Sequence, residues 1–441
     1  MGNLTFPDLL CFVSGVILRL ILYRTSLPEW LCGRTEVVSP LTSWERAMEG
    51  ISLHKQGISP YSGDLFHEMP LMLQFLSVIS TFSSNAIMLF FLLLEIVQGY
   101  ILLKICNSFA RYLLFRQAME VKNFNPNAEK LMLTKLDLLN MQFYVMIGFA
   151  FNPYSLSAFL TKSTVIFNNL AILLALYYML QDNRLFCGVF IAVASYISMY
   201  PIVLCVPAGL YFAQIYKRKP EESEQKFLIS NLIEMAIITA VPLGLLLLFS
   251  ILTTDSWEFF SSTYGFILSV PDLTPNLGIF WYFFTEMFEH FRTFFICVFQ
   301  INVVIYTVPL SVRLKEHPVF LFYLLVFLIG IFKSYPSYGD TGLILTLLPL
   351  WKHVFTYMRN NFVVSCMLIC TTVFAPILYH LWIYAGSANA NFYFAIALAF
   401  STAQIFLVTD LLYGFLRREF DLYNGVKHML PDGKETQVIL E

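Results

Sequence analysis

The sequence predicts an all-α membrane protein that crosses the bilayer many times. Of its 441 residues, 58% are hydrophobic and only 13% are charged, whereas a soluble domain is about 25% charged. Apolar stretches near the roughly 20 residues that a helix needs to cross a bilayer recur along the whole chain. The first of them has no basic segment before it and no small-residue cleavage site after it, so we expect it to be retained as a span.

Read from the N-terminus, the pattern predicts about twelve transmembrane helices in one membrane domain, residues 1–441. Several are shorter than a full membrane thickness, so we expect them to be tilted, extended or buried by their neighbours. The predicted spans are 6–23, 86–106, 138–160, 164–180, 185–199, 202–216, 227–253, 291–312, 319–332, 341–350, 362–383 and 392–415.

The distribution of basic residues predicts the orientation. Segment 104–135 carries six Lys or Arg against two acidic residues, which favours the cytoplasmic side. Placing it there requires a single crossing at 86–106, and leaves 70–83 as an interfacial helix on the opposite surface. The same register puts both termini, a C-terminal tail at 416–441 and four further basic clusters in the cytoplasm. These clusters lie at 217–219, 313–315, 352–359 and 417–418, while Lys162 and Lys333 fall at outer ends of spans.

Two outer segments are expected to be structured. The first loop, 24–85, contains a predicted amphipathic helix at 42–55, and its acidic residues and His67 allow either a solvated loop or metal and acid–base chemistry. The second, 254–290, is aromatic, holds five acidic residues and no Lys or Arg, and is broken by two prolines. Aromatic rings favour the lipid–water boundary, which predicts a loop lying on the outer surface.

Shorter signals add detail. Asn152-Pro153 is expected either to kink its helix or to line a polar cavity, because a proline breaks the helical hydrogen-bond ladder. Segment 384–391, YAGSANAN, joins the last two spans and predicts either a tight turn capped by asparagine or a ligand contact. Of eight cysteines only Cys32 lies in an outer loop, so no disulfide framework is expected there.

Several long segments together resemble the class U subunit of the glycosylphosphatidylinositol (GPI) transamidase, over essentially the whole chain. They are SPLTSWERAMEG, GISPYSGDLFHEMPL, NPYSLSAFLTKST, FSSTYGFILSVPDLTPNLGIFWYFFTEMFEHF, IFKSYP and LWIYAGSANANF. The resemblance implies an endoplasmic reticulum subunit of the complex that replaces a protein's C-terminal signal with GPI. The implied partners are a catalytic cysteine-protease-like subunit, accessory subunits, the GPI glycolipid and membrane lipids, and no nucleic acid. This subunit is implied to be non-catalytic and to help bind the lipid.

That family in turn resembles the lumenal GT-C glycosyltransferases, which implies a GT-C-like arrangement with lumenal loops and interfacial helices. GT-C enzymes carry an acidic pair, usually one residue apart, in the first lumenal loop. Here the acidic residues of that loop stand at 29, 36, 45, 49, 64 and 68, and no two are so spaced. We therefore expect no catalytic residue, metal site or cofactor. The alternative function is a lumenal glycosyltransferase acting on a lipid-linked sugar; a transporter or scramblase would predict an inverted repeat, and none is evident.

The binding hypothesis assigns roles to particular residues. Acyl chains would lie in a lateral groove lined by Phe, Leu and Met, with aromatic residues at headgroup depth and polar side chains on the sugars. Lys333 and Lys162 would either face a phosphate or extend to lipid headgroups, and the aromatic run would contact lipid or a partner subunit. The predicted GPI-binding residues are Asp272, Asn276, Phe280, Trp281, Ser387, Asn389, Asn391, Lys333 and His67.

Overall fold

A computed structural model describes residues 6–216 and 223–426, and within these ranges the chain consists of helices and turns without a β-strand. This confirms the predicted all-α class. Six described helices are long and apolar enough to cross a membrane, or seven if the bent pair Pro126–Phe151 and Pro153–Leu160 is one span. Five shorter apolar helices accompany them. The count of twelve crossings therefore stays a prediction.

The first half of the chain forms ten α-helices, with short 3₁₀ turns between some of them. They are α1 (Phe6–Tyr23), α2 (Leu27–Cys32), α3 (Trp44–Lys55), α4 (Pro70–Ile79), α5 (Ser84–Glu120), α6 (Lys135–Phe151), α7 (Pro153–Leu160), α8 (Val165–Leu180), α9 (Arg184–Ser198) and α10 (Cys205–Ile215). Helix α3 confirms the amphipathic helix predicted at 42–55. Helix α4 is separate from α5, as the prediction of a single crossing at 86–106 requires.

The second half forms ten more. They are α11 (Glu224–Thr254), α12 (Glu258–Phe260), α13 (Phe266–Ser269), α14 (Phe280–Glu286), α15 (Glu289–Val304), α16 (Thr307–Arg313), α17 (Pro318–Phe332), α18 (Tyr338–Leu347), α19 (Asn361–Ile383) and α20 (Ala390–Asn424). A π-turn at Ser261–Gly265 joins α12 to α13, and a 3₁₀ segment at Leu348–Tyr357 continues from α18. The segment predicted as a loop at 254–290 is thus partly helical.

Burial separates interior helices from peripheral ones. Helix α17 rises only about 22 Å over its 15 residues, less than the roughly 30 Å hydrocarbon core, and it is buried on all sides. Helix α11 instead exposes a stripe of apolar side chains at helical spacing along Ile229, Ile233, Ile237 and Val241. A continuous exposed apolar stripe on a long helix is typical of a surface that faces lipid.

Two helices extend beyond their predicted ends. Helix α5 runs for 37 residues, about 55 Å, and so continues from the crossing at 86–106 into the basic segment predicted to be cytoplasmic. Helix α20 runs to Asn424, into the tail predicted at 416–441. The basic cluster at 217–219 and residues 427–441 lie outside the described residues.

The predicted kink at Asn152-Pro153 is confirmed by a 42° bend between the helices on either side. Pro153 has no N–H, and the N–H of Tyr154 bonds to the Asn152 side chain at 3.0 Å. The carbonyls of Phe149 and Ala150 therefore lose their helical donors. Arg19 of α1 supplies replacements, donating to these two oxygens at 3.3 and 3.1 Å.

The charge of Arg19 is balanced by Glu95 of α5. Two guanidinium nitrogens donate to one carboxylate oxygen at 2.7 and 3.0 Å, and the two side chains are only 2% and 4% exposed. One arginine thus joins α1, α5 and the α6–α7 break. A buried charge needs this degree of pairing and hydrogen bonding to be tolerated.

Candidate functional site

The outer segment 254–290 is held in place by Asp272. One carboxylate oxygen accepts a hydrogen bond from Arg46 of α3 at 3.0 Å, and the other accepts from the backbone N–H of Thr274 at 2.8 Å. Partial burial opposes ionisation, but the bonds from Thr274 and Arg46 hold the pKa of Asp272 below its usual range. Because these bonds occupy its carboxylate, Asp272 positions the loop.

Asn276 and Phe280 also support the loop from inside. The Asn276 side chain accepts from the Gly278 N–H at 2.7 Å and donates to the Thr274 carbonyl at 3.0 Å. Phe280 is buried against Phe284 and Phe299, with ring centroids 5.9 and 5.1 Å away. Asn276 and Phe280 are only 2% and 1% exposed, and the GPI-binding role expected of both stays a prediction.

Five aromatic side chains form what we call the aromatic platform: Trp281, Tyr282, Trp382, Tyr393 and Phe394. Trp281 and Tyr393 are buried, while the other three are half-buried at the rim. Trp281 stacks on Trp382 at 6.1 Å, and Tyr282 stacks on Phe394 at 4.4 Å. The platform joins the predicted aromatic run to the ends of α19 and α20.

Glu36 lies beneath the platform and was not predicted as a site residue. It is 1% exposed, and its carboxylate accepts the Tyr393 hydroxyl at 3.0 Å. Burial raises the pKa of Glu36. Its backbone oxygen also accepts from the Tyr338 N–H at 3.0 Å. The only sequence signal is an acidic residue directly before two valines; its partner is 357 positions away.

Asn389 and Asn391 stand at the edge of the platform, at the start of α20. Asn389 caps that helix by accepting from the Asn391 N–H at 3.1 Å, which confirms the asparagine cap expected in 384–391. Gly386 turns the chain with a φ of +63°, a region that glycine enters without strain. Ser387 bonds only to the Leu381 carbonyl, at 3.4 Å from its hydroxyl.

Both asparagine side chains are exposed. The Tyr282 hydroxyl donates to the carbonyl oxygen of the Asn391 side chain, which fixes the amide group against the platform. Among the described residues, neither side-chain NH₂ group makes a hydrogen bond to protein. Each therefore offers two exposed N–H donors.

His67 and Lys333 lie elsewhere, in a closed interior cleft with Glu68 and Asn168. The Lys333 amine donates to Asp340 at 2.6 Å and is buried, so it neither faces solvent nor extends to lipid headgroups. Lys162 instead lies over the Tyr23 ring at 5.7 Å. Lys333 is thus paired with a carboxylate and Lys162 with an aromatic ring, and a phosphate contact of either lysine stays a prediction.

His67 stacks on Phe266 with 3.5 Å between ring centroids, and its Nδ1 donates to the Ser262 carbonyl at 2.8 Å. Burial lowers the pKa of His67 and raises that of Glu68 to about 7, where Thr164 donates to the carboxyl at 2.5 Å. A titratable pair with perturbed pKa values is what an active site would show. The cavity between them is only ≈ 30 Å³, room for a water molecule or two and not for a sugar.

No three His, Cys, Asp or Glu side chains in residues 6–216 and 223–426 are grouped so as to hold a metal ion. The eight cysteines are all free thiols. Cys32, in the first outer loop, is half-buried, and burial together with the nearby Glu45 raises the pKa of its thiol. A raised pKa disfavours the thiolate that nucleophilic chemistry needs.

A lateral groove of ≈ 660 Å³ has mainly apolar walls. Helix α19 forms one wall, and α7, α18, the following 3₁₀ segment and α20 form the others. The lining side chains are mainly Leu, Val, Ile, Phe and Met, as the sequence predicted for a lipid groove. Tyr154 and Thr372 close the inner end through a 2.6 Å hydrogen bond between their hydroxyls.

Comparison with known proteins gives a consistent result. A family model described as "GPI transamidase subunit PIG-U" matches residues 13–400. The human GPI-anchor transamidase component PIGU is 40% identical over 437 residues, which are 99% of each chain. The GPI transamidase component GAB1 of Saccharomyces cerevisiae is 33% identical over 404 residues, 91% of each chain.

Proposed function

This chain belongs to the PIG-U family of GPI transamidase subunits, and we propose that within the complex it binds and presents the GPI lipid without carrying out the transamidation itself. It is a multi-pass membrane protein, and we infer that it resides in the endoplasmic reticulum with both termini in the cytoplasm. The catalytic cysteine would belong to another subunit.

The observation that carries this proposal is the pair of exposed amides at the edge of the aromatic platform. GPI has acyl chains, an inositol phosphate and a glycan, so its binding site must join an apolar surface to hydrogen-bond donors. The half-buried rings of Tyr282, Trp382 and Phe394 supply the apolar surface. Asn389 and Asn391 supply four N–H donors. Phosphate and sugar hydroxyls both accept such hydrogen bonds.

The remaining predicted residues take supporting roles in this proposal. Asp272, Asn276 and Phe280 hold the loop that carries Trp281, and Ser387 shapes the turn before Asn389. His67 and Lys333 line the interior cleft and do not reach the platform. The lipid headgroup would therefore lie at the platform edge, outside the pocket that a related glycosyltransferase would use.

Two features support a non-catalytic role. A cavity of ≈ 30 Å³ beside His67 and Glu68 cannot hold a donor sugar, which disfavours the glycosyltransferase alternative. The raised pKa of the Cys32 thiol disfavours it as the transamidase nucleophile.

The test is to change Asn389→Ser and Asn391→Ser together, then purify the complex and measure co-purifying GPI and anchor attachment in cells lacking the native subunit. Serine at 389 retains a capping oxygen for α20 but removes the amide donors. Loss of one hydrogen bond costs about 0.5–1.5 kcal/mol, and more when the partner is charged. GPI retention should fall about tenfold to a few hundredfold.

Tyr282→Phe is the matched control, because it removes the bond to Asn391 and leaves every amide donor in place. It should lose much less GPI than the double serine variant. If the serine variant assembles and retains native amounts of both GPI and activity, the asparagines only form the turn, and the lipid site lies elsewhere.

A further inference from the structure

We propose that the lateral groove beside α19 binds one acyl chain of an anionic glycerophospholipid from the leaflet opposite to GPI. This site is additional to the proposed GPI site. The inference rests on the position of the groove, its closed inner end and the charges at its mouth.

The groove lies in one half of the bundle. Its lining residues on α19 run from Asn361 to Val373, twelve helical steps, or about 18 Å. One leaflet contributes about 15 Å of hydrocarbon, so the groove extends through about one leaflet. The aromatic platform packs against the other end of the same helix, near Trp382. The groove and the platform therefore serve opposite leaflets.

The inner end of the groove is closed. The hydroxyls of Tyr154 and Thr372 bond across it at 2.6 Å, and the Tyr154 ring packs on that of Tyr338, 4.9 Å away. An acyl chain descending from the platform would meet this barrier near the middle of the bundle. A chain entering from the other leaflet would meet only the apolar walls formed by residues such as Leu348 and Leu368.

The mouth is polar and basic. Asn361 and Ser365 line the groove at this end, and Lys352 and Arg359 are exposed on the chain segment leading to it. Lys352 lies over the Tyr144 ring at 3.8 Å and Arg359 over the Tyr413 ring at 4.1 Å. Neither forms an ion pair with a carboxylate in the described part of the chain. Two carboxylates are nearby: Asp137 interacts electrostatically with Lys352, and Asp410 accepts the Arg359 backbone N–H at 2.9 Å. Two exposed basic side chains that are not directly ion-paired still fit an anionic headgroup.

A groove of ≈ 660 Å³ with apolar walls would be filled in a bilayer, since an empty one forfeits contacts along its whole lining. Acyl chains are the material available there. The basic mouth then selects phosphatidylserine or phosphatidylinositol over phosphatidylcholine, because only the former carry net negative charge.

The test uses the whole complex reconstituted in phosphatidylcholine vesicles that contain a photoactivatable analogue of either phosphatidylserine or phosphatidylcholine. Labelled peptides are mapped by mass spectrometry. The phosphatidylserine analogue should label 361–373 more strongly than the phosphatidylcholine analogue. Changing Ser365→Phe and Ile369→Phe together should fill the groove and reduce labelling by both at least about fivefold. Val363→Phe with Ile377→Phe is the control, since both are exposed on α19 outside the groove lining.

The mouth is tested separately. Lys352→Gln with Arg359→Gln should remove the preference for phosphatidylserine, at about fivefold for each charge, while labelling by phosphatidylcholine is retained. Lys122→Gln with Lys130→Gln, which removes two exposed charges elsewhere in the predicted cytoplasmic region, should leave the preference unchanged. Equal labelling by both analogues in the native complex would overturn the inference.

GPI is measured in the same samples, which separates this inference from the proposed function. The groove-filled complex should retain GPI, while the Asn389 and Asn391 variant should lose GPI and keep the groove label. Loss of GPI on filling the groove would mean that the groove holds GPI chains, and would overturn the second site. If the asparagine variant keeps both GPI and the groove label, the platform proposal is contradicted and the groove inference is not.

Discussion

Replacing Arg19 with leucine should severely destabilise the protein. The change leaves the Glu95 carboxylate without a partner in a position that is 4% exposed. It also leaves the carbonyls of Phe149 and Ala150 without the donors that Arg19 supplies at 3.3 and 3.1 Å. Breaking a buried ion pair by removing one partner costs about 3–5 kcal/mol.

A series of variants separates the two contributions. Arg19→Lys keeps the charge but not the planar group that reaches Glu95 and two carbonyls together, so its effect should be intermediate. Leucine at both 19 and 95 removes the unpaired carboxylate, and should recover stability relative to Arg19→Leu. Recovery should be incomplete, because each freed carbonyl still costs about 1–3 kcal/mol.

The assay measures the thermal midpoint of the complex in detergent, with fluorescence-detected size exclusion as the readout. Folded yield at a fixed temperature is a second measure. Arg19→Leu should lower the midpoint by about 6–20 °C, from a loss of about 3–5 kcal/mol at about 2–4 °C per kcal/mol. Lys104→Leu on α5, which has no described carboxylate partner and lies over the Tyr100 ring, is the control. Native stability of both Arg19→Leu and Arg19→Lys would refute this account of the α6–α7 break.

Three further results are expected. Glu36→Gln should leave anchor attachment largely intact, since glutamine still accepts the Tyr393 hydroxyl, whereas loss of activity in a fully assembled complex would revive an enzymatic role. Burial makes His67 and Glu68 act on stability with opposite signs between pH 7 and 5. Below about pH 6.5 the unfolded chain protonates the histidine first, which lowers stability by up to about 1.4 kcal/mol per pH unit, whereas folded Glu68, with a pKa of about 7, binds a proton before the unfolded chain does, which raises stability. His67→Phe leaves the Glu68 contribution unopposed, so thermal midpoints should rise more from pH 7 to 5 than those of the native protein; an unchanged pH dependence would exclude a contribution from His67. A glycosylation acceptor inserted near Asn276 should be modified and one near Lys122 should not, and modification at the latter site would contradict the predicted orientation.

The features that sequence predicted are those set by local composition. The long apolar runs predicted an all-α membrane fold, and the amphipathic pattern at 42–55 predicted α3. Asn152-Pro153 predicted the kink because proline removes a backbone donor wherever it stands. Helix α5 was predicted too short at its C-terminal end, since the basic residues after Cys106 mark a membrane boundary and not a helix end.

Sequence alone does not show which partners its polar and aromatic side chains find in the folded chain. Asn276 and Phe280 have the composition of binding residues, but the first is consumed by hydrogen bonds within its own loop and the second by Phe284 and Phe299. Lys333 stands at a predicted outer boundary, yet Asp340 pairs with it inside the bundle. Glu36 meets Tyr393 across 357 positions, a contact that no local pattern encodes.

The Arg19 junction also constrains how the protein is made. During synthesis α1 emerges first, before the partners of its arginine have been made. Glu95 lies 76 positions later and the Ala150 carbonyl 131 positions later. Arg19 is the fourteenth of the 18 residues of α1, so the roughly 2.5–3.5 kcal/mol that an unpaired arginine costs at the centre of an inserted helix is an upper bound on its cost before pairing. We therefore expect the final position of α1 in the membrane to be fixed only after α5 and the α6–α7 break have been translated.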